Sequence, residues 1–217
     1  MSESSTGRVD LERKNEMRRR AWAKQAPRYD KSIGFFERRV FGTEHRAWAC
    51  SRARGNTLEV AIGSGLNIPL YDRDVRLTGI DLSPEMLELA RTRVSQAECT
   101  VELQEGDAHS LPFPDGSFDT VVCTFSLCNI PDPYLAVGEM KRVLSSGGRL
   151  ILVDHIRSGF KPVFWGQKVI ELLTRRVDGD HMTRRQLEHV KAHGFQITER
   201  DRLGPTGIVE RLVGEKQ

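Results

Sequence analysis

The segment TLEVAIGSGLN, residues 57–67, decides the fold of this chain. An apolar strand pattern, TLEVAI, runs directly into two glycines, Gly63 and Gly65. In open α/β sheets a ligand binds beyond the carboxyl ends of the strands, where glycines let the backbone turn tightly and approach the ligand. The dinucleotide fingerprint G-x-G-x-x-G is incomplete, because Ile68 stands where its third glycine would be. No Gly-Lys-Ser/Thr follows, so the turn is not a P-loop.

The chain beyond this turn alternates strand patterns with helix patterns. Further strands are predicted at 75–81, 99–107, 118–125 and 148–155, and helices at 84–94 and 132–144. Strands that alternate with helices of this length indicate βαβ units and a parallel sheet.

The two ends of the chain have other patterns. We expect residues 1–9 to be disordered, a charged helix over 10–30 that ends near Pro27, and a helical segment over 33–53 interrupted at Gly42. After residue 155 helices are predicted at about 161–177 and at 183–194, the second opened by a capping box of Thr183 and Gln186. The last two strands, around Leu203, are expected to pair as an antiparallel hairpin at one edge of the sheet.

The composition fits one α/β domain with a small appendage. The chain has 217 residues, 38% hydrophobic and 29% charged. No apolar run approaches the length that crosses a bilayer, and the N-terminus lacks the apolar stretch of a secretory signal, so we expect a cytoplasmic protein. The cysteines Cys50, Cys99, Cys123 and Cys128 have no zinc-like spacing, and His189 and His193 lack the Glu of H-E-x-x-H. No metal is therefore predicted.

The N-terminal segment carries most of the positive charge. Residues 1–46 hold 12 Lys and Arg against 7 Asp and Glu. Such a segment suits an anionic membrane surface or nucleic acid. The interpretation we favour is a solvated helix face, because the signs are mixed and no aromatic side chains recur as a base-stacking platform. Nucleic acid is not expected as a partner.

Two acidic residues complete the pattern of a nucleoside pocket. Asp81 ends the second strand and can accept both ribose hydroxyls. It could instead cap the next helix, but Ser83 and Pro84 already supply a cap and a first helical residue. Asp107 follows the third strand and can accept from an adenine amino group.

These segments together resemble the class I S-adenosylmethionine-dependent methyltransferases. The branch is that of the ubiquinone and menaquinone methyltransferases, the bacterial phosphatidylethanolamine N-methyltransferases and the small-molecule thiol methyltransferases. The resemblance covers about residues 20–215 and is carried by LEVAIGSG, GIDLSPEMLELAR, GDAHSLPFPDGSFDTVVC and EMKRVLSSGGRLILVDH. It implies a Rossmann-like α/β fold with a seven-stranded, mostly parallel sheet, a terminal antiparallel hairpin and helices on both faces.

The resemblance also implies a division of the chain and a set of cofactor contacts. Residues 1–54 would form an N-terminal helical lid and residues 55–217 the methyltransferase domain, with an acceptor-binding helical insertion at about 156–194. Where the family usually has glycine this chain has Ala61, which we take to lie within the strand. The residues implied to contact S-adenosylmethionine are Tyr29, Glu59, Ala61, Gly63, Gly65, Asp81, Leu82, Asp107, Ala108 and Thr124.

Candidates for the methyl transfer itself follow the later strands. His155, paired with Asp154, is the predicted general base, because it ends a buried strand on the ligand side and histidine titrates in the right range. His155 could instead only shape the pocket, and His181 is the alternative base, although structural capping is equally plausible there. Ser126, Asn129 and Trp165 are the candidate acceptor contacts.

The sequence thus predicts a methyltransferase that uses S-adenosylmethionine and acts on a small apolar or amphiphilic molecule. Thiol sulfur or amine nitrogen is the expected receiving atom, and carbon or oxygen of a quinol-like ring is the alternative. A non-catalytic cofactor-binding module is the other alternative. A lipid acceptor would add a peripheral membrane contact, while the oligomeric state is left open.

Overall fold

The computed structural model describes residues 3–37, 39, 42–177, 185–203 and 207–217. Its helices are α1 (Glu3–Phe36), α2 (Glu44–Cys50), α3 (Pro84–Arg91), α4 (Pro133–Val143), α5 (Lys161–Val177) and α6 (Gln186–Ala192). Its strands are β1 (Asn56–Val60), β2 (Arg76–Asp81), β3 (Thr100–Glu105), β4 (Phe118–Thr124), β5 (Leu144–His155), β6 (Gln196–Leu203) and β7 (Val209–Glu215).

The seven strands form one sheet in the order β3-β2-β1-β4-β5-β7-β6. The pairs from β3 to β5 are parallel, and β7 runs antiparallel to both β5 and β6. The predicted seven-stranded sheet and its terminal antiparallel pair are confirmed. The chain order reverses between β1 and β4, and this is where an open α/β sheet opens a crevice beyond its strand ends.

The central strands are buried on both faces, because helices cover both sides of the sheet. Along β5, Leu150 and Leu152 pack in a cluster with Met140 of α4. The alternate residues Ile151 and Val153 pack in a second cluster, which includes side chains from α2 and α3. This two-residue alternation explains why the apolar runs of the sequence predict buried strands.

Helix α1 differs from its prediction at both ends. It begins at Glu3, within the segment expected to be disordered, and it continues through Pro27 to Phe36. Tertiary contacts hold the part beyond the proline: Asp30 accepts hydrogen bonds from Ser64 Oγ at 2.6 Å and from Arg93 Nη2 at 2.5 Å. These contacts offset the helix hydrogen bond that a proline removes.

The start of α6 also differs from its prediction. The helix begins at Gln186 with Arg185 as N-cap and has no side-chain cap, so Gln186 is not part of a capping box. Its side chain is buried instead and donates to the carbonyl of Glu210 at 3.1 Å. Thr183 lies outside the described residues. Among the described helices, none combines the length and apolarity needed to cross a membrane.

Candidate active site

A large cavity lies at the carboxyl ends of β1 to β4, at the point where the strand order reverses. Its empty volume is about 840 Å³, including the part that is open to solvent. Eight of the ten predicted cofactor contacts line it, namely Tyr29, Ala61, Gly63, Asp81, Leu82, Asp107, Ala108 and Thr124. The predicted acceptor contacts Ser126 and Asn129 line it too. The structure therefore brings most of the predicted site residues together.

Gly63 and Gly65, the two glycines of the turn, have different structural roles. Gly63 has a left-handed backbone (φ +59°), and a Cβ there would meet only Met86 Cε, at 3.4 Å. Gly65 also has a left-handed backbone (φ +78°), but a Cβ there would lie 3.0 Å from the backbone of Ala90 and closer still to Ile68. Gly63 thus leaves the cavity open, whereas Gly65 lets α3 pack against the turn.

Asp81 is buried at the edge of the cavity and closes the turn. One carboxylate oxygen accepts from the backbone N–H of Gly63 at 2.8 Å and the other from that of Ser83 at 2.9 Å. Burial raises the pKa of Asp81 to about 6, against the lowering effect of these backbone N–H groups. The side chain of Ser83 accepts from Met86 N, so the predicted helix cap is confirmed.

Ala61 does not lie within a strand. Strand β1 ends at Val60, and Ala61 follows with a left-handed backbone (φ 55°). The prediction that Ala61 lies within the strand is therefore wrong, and its Cβ crowds the following carbonyl in this left-handed conformation. Phe125 is the other non-glycine residue with positive φ in the described part of the chain, and it too lines the cavity.

Asp107 is held by two neighbours. One oxygen accepts from Asn15 Nδ2 at 2.6 Å, and the other lies 2.6 Å from Nδ1 of His109. His109 Nε2 accepts from the backbone N–H of Asp132 at 3.1 Å, so Nδ1 carries the proton and donates it to Asp107. Burial raises the pKa of Asp107, but the hydrogen bonds from His109 and Asn15 outweigh it and leave the pKa below its usual value.

Helix α1 covers one side of the cavity, and Tyr29 is the one residue of this helix that had been predicted as a contact. Asn15, Arg18, Trp22 and Tyr29 all line it. The rings of Trp22 and Tyr29 meet edge to face, with centroids 5.7 Å apart. The signal was present as helical spacing of these residues along the chain, but the many charges between them favoured a fully solvated helix.

A buried polar network lies behind the cavity. Asn67 Nδ2 donates to Glu59 at 2.7 Å and to Thr124 Oγ1 at 2.9 Å. Arg46 Nη1 donates to Asn67 at 3.1 Å and to Thr124 Oγ1 at 3.2 Å, while Arg46 Nε donates to Glu37 at 2.6 Å. Arg46, which had not been predicted, lines the cavity. The network therefore fixes a buried cation beside the site.

Glu59 belongs to this network rather than to the cavity wall. Its other oxygen accepts from the hydroxyl of Tyr71 at 2.9 Å. Burial raises the pKa of Glu59 to about 7, although the hydrogen bonds from Tyr71 and Asn67 and the charge of Arg46 oppose this rise. Glu59 acts on the cavity through Asn67 and Thr124.

His155 and Asp154 line a second, smaller cavity together with Cys128. His155 Nε2 lies 3.5 Å from Cys128 Sγ, and Asp154 accepts from the backbone N–H of Cys128 at 2.8 Å. Ser126 and Asn129 line the large cavity while Leu127 and Cys128 line the small one, so this segment forms the wall between them. The structure does not bring His155 to the large cavity.

Three further predictions have separate outcomes. The side-chain atoms of Cys128, Asp154 and His155 that could ligate a metal lie within 4.8 Å of one another. The expectation that the protein binds no metal therefore stays a prediction. The alternative base His181 lies outside the described residues. Trp165 is 65% exposed on α5 and does not line the cavity.

Comparison with known proteins shows similarity in both sequence and fold. Residues 58–152 match the family described as a methyltransferase domain. The chain is 42% identical over 118 residues to the phosphatidylethanolamine N-methyltransferase of Cereibacter sphaeroides, which covers 54% of this chain and 58% of that relative. The chain thus spans less than two thirds of that relative's length. It is 34% identical over 164 residues to the demethylmenaquinone methyltransferase of Listeria monocytogenes, which covers 70% of this chain and 69% of the relative.

A solved structure from Thermotoga maritima shares the fold. It is described as an S-adenosylmethionine-dependent methyltransferase and possible histamine N-methyltransferase. It matches with a TM-score of 0.68 and 21% sequence identity, over 90% of this chain and 100% of its own.

Proposed function

Since the chain belongs to the S-adenosylmethionine-dependent methyltransferases of the methyltransferase-domain family, we propose that it transfers a methyl group to an amine nitrogen of an amphiphilic acceptor. One observation carries the proposal: the large cavity joins a wall of hydrogen-bond acceptors to the aromatic pair of Trp22 and Tyr29. Such a space suits a ligand rich in N–H and O–H donors, and the aromatic pair suits the positively charged sulfur of S-adenosylmethionine.

The residues of the cavity fit S-adenosylmethionine. Asp81 offers a buried carboxylate for the ribose hydroxyls, Asp107 and Ala108 lie where the adenine would bind, and Gly63 leaves room for the methionine portion. Buried amide oxygens of Asn15 and Asn129 have no hydrogen-bond partner within the described part of the structure. Buried acceptors of this kind call for a donor from a ligand. When bound, the cofactor supplies a methyl group on a positively charged sulfur.

The cavity residues favour a nitrogen acceptor by orientation and desolvation. Asn129 lines the cavity, and its side-chain amide could orient an acceptor nitrogen there. Removal from water disfavours the ammonium form, so a partly enclosed cavity promotes the neutral amine without a dedicated base. His109 is the histidine that lines this cavity among the described residues. Both of its ring nitrogens already take part in hydrogen bonds.

A quinol ring carbon is the second candidate. It is favoured by the similarity to the demethylmenaquinone methyltransferase, which covers more of this chain than the similarity to the phospholipid enzyme. Both candidates are amphiphilic and reside in membranes. We propose further that residues 1–54 act as a lid and about 156–194 as the acceptor-binding insertion. The cavity contacts of α1 support the first of these assignments.

The test is a methyl-transfer assay with labelled S-adenosylmethionine. The acceptors compared are phosphatidylethanolamine vesicles, a demethylated quinol and an alkyl thiol, each with and without protein. We expect label in the phosphatidylethanolamine headgroup. Label in the quinol would establish the second candidate and label in the thiol would establish the sulfur acceptor predicted from sequence. Cofactor binding by calorimetry without transfer to any acceptor would favour the non-catalytic module.

A further inference from the structure

Helix α5 presents three large apolar side chains to solvent. Trp165, Val169 and Leu172 are 65%, 61% and 64% exposed. Their spacing of four and then three residues places them on one face of the helix. Phe160, which precedes the helix, is 58% exposed as well. Exposed apolar residues that cluster on one face mark an interaction surface, whereas isolated ones do not.

The opposite face of α5 is anchored to the domain. Val163 packs against the core cluster on one side of the sheet. Gln167 is buried, accepts from the backbone N–H of Ser158 at 2.8 Å and donates to the carbonyl of Ile156 at 2.9 Å. Because Val163 and Gln167 face the domain, the face formed by Trp165, Val169 and Leu172 points away from the sheet.

Positive charges flank this apolar face. Lys161 and Lys168 are exposed on α5, and Arg157 is exposed just before it. The Arg157 guanidinium lies 4.2 Å and the Lys168 ammonium 5.5 Å from the centre of the Phe164 ring. Glu171 is the acidic residue in the sequence of α5. Basic side chains beside a row of Trp, Val and Leu are the pattern of a helix that lies in the interface of an anionic bilayer.

We propose that the outward face of α5 binds peripherally to anionic phospholipid bilayers, with Trp165, Val169 and Leu172 in the acyl boundary and Lys161 and Lys168 at the headgroups. The purpose of this contact rests on the proposed function, because the protein would take an amphiphilic acceptor from the same bilayer. The contact itself follows from exposure, spacing and charge on α5. A surface for a second copy of the chain would not need the flanking basic residues, which is why a bilayer is the occupant we favour.

The test is cosedimentation of the full chain with vesicles, without cofactor. We expect binding to phosphatidylglycerol mixed with phosphatidylcholine, and weaker binding to phosphatidylcholine alone or at high salt. The double variant Trp165→Ser/Leu172→Ser should lower the partition coefficient by roughly tenfold or more, because two apolar anchors are lost. Leu135→Ser is the matched control, since Leu135 is a similarly exposed leucine on α4, and it should bind as the wild type does.

A second measurement locates the contact. Lipids brominated in the acyl chain quench tryptophans that enter the bilayer. Trp165→Phe keeps an apolar side chain, so it should retain binding yet lose most of the quenching, while Trp22 lies on the cavity and Trp48 is half-buried. Equal quenching of Trp165→Phe and the wild type would overturn the proposal, and so would equal vesicle binding by the double variant.

Two further outcomes separate this inference from others. If the wild type does not bind vesicles and forms a dimer that the double variant converts to a monomer, the face is a self-association surface and the proposal is wrong. Calorimetry of the same preparations tests the proposed activity independently. Vesicle binding without S-adenosylmethionine binding would contradict only the proposed function, and cofactor binding without vesicle binding would contradict only the membrane contact.

Discussion

Ala61 and Phe125 share a left-handed backbone, with φ of 55° and 52°, at the ends of the paired strands β1 and β4. The hydroxyl of Ser126, next to Phe125, lies 2.9 Å from the carbonyl of Thr124 and 3.3 Å from that of Ala61, so it links the two strand ends. Both residues line the large cavity. Strained backbone of this kind persists where the surrounding structure fixes it, and it concentrates at ligand sites.

The first prediction follows from this strain. Ala61→Gly should stabilise the protein, because a left-handed alanine costs about 1–2 kcal/mol whereas the added freedom of glycine in the unfolded chain costs only about 0.4–1 kcal/mol. Urea unfolding measures the difference. Ala47→Gly is the control: Ala47 is exposed inside α2, and glycine there should destabilise by about 1 kcal/mol. A destabilised Ala61→Gly variant would show that the left-handed conformation of Ala61 costs less than the added freedom of glycine in the unfolded chain.

The second prediction concerns Asp81 and pH. Ribose hydroxyls would donate to the ionised carboxylate, whose pKa is raised to about 6 by burial. Cofactor affinity should therefore fall as the pH drops below about 6, by up to roughly tenfold per pH unit. Asp81→Asn should weaken binding at neutral pH by about 1–3 kcal/mol and remove this pH dependence. Calorimetry from about pH 5 to about pH 8, roughly one unit below and two units above the shifted pKa, tests this. An unchanged pH dependence in Asp81→Asn would contradict the assignment.

The third prediction concerns Glu59 and stability. The pKa of Glu59 is raised in the folded protein from 4.5 to about 7, so the folded state holds a proton that the unfolded state releases. The free energy of unfolding should then fall as the pH rises from about 4.5 to 7, by at most about 3 kcal/mol from this group. Asp81 acts in the same direction. Glu59→Gln stays neutral and should flatten that slope in urea unfolding.

Glu139 supplies the contrast to Glu59. The side-chain hydrogen bond from Arg142 keeps the pKa of Glu139 below its usual value, so its contribution is present at neutral pH and lost on acidification. Glu139→Gln should therefore lower stability at neutral pH and leave the fall between pH 4.5 and 7 in place. A Glu59→Gln variant that keeps the full wild-type slope would show that Glu59 is ionised in the folded protein.

The sequence was sufficient to predict the sheet and most of the cavity wall, because those features are local. The apolar alternation of TLEVAI can be recognised within a few residues. The same is true of Asp81, the acidic residue at the end of the next strand. The same holds for Ser83, whose capping role is confirmed. Local patterns also place Asp107 and Ala108 on the cavity wall.

The remaining features depend on contacts distant in sequence. Arg46 reaches Thr124 across 78 positions, and Asn15 reaches Asp107 across 92. A charged helix such as α1 is indistinguishable in sequence from a solvated one until its partner surface is known. The conformation of Ala61 was missed because the apolar alternation continues past Val60, where the strand ends and the chain turns.

The fourth prediction concerns α1 as a lid. Asp30 ties the second half of α1 to Ser64 and Arg93 beside the glycine turn. Asp30→Asn should loosen this tie and speed hydrogen exchange across about residues 20–36. S-adenosylmethionine should slow exchange there in the wild type, since Trp22 and Tyr29 line the cavity. Glu88→Gln breaks the exposed pair with Arg91 on α3 and is the control. Exchange that is equal with and without cofactor would make α1 a bystander.

The last prediction decides the role of His155. A general base would contact the acceptor, and its loss would lower turnover by about 10²–10⁴-fold with partial recovery at high pH. The structure instead places His155 Nε2 3.5 Å from Cys128 Sγ in the small cavity, behind the wall that carries Asn129. Asn129 Nδ2 lies 3.3 Å from the same sulfur, so His155 is linked to the large cavity through Cys128 and Asn129 and acts there as a positioning residue. We therefore expect His155→Gln to lower turnover by less than about tenfold, with the shape of the pH profile unchanged and the acceptor KM raised.

Cys128→Ser changes the side chain that contacts the imidazole of His155, and it should have an effect of similar size. A fall of about 10²-fold that recovers as the pH rises, in His155→Gln but not in Cys128→Ser, would contradict this expectation and establish His155 as the base.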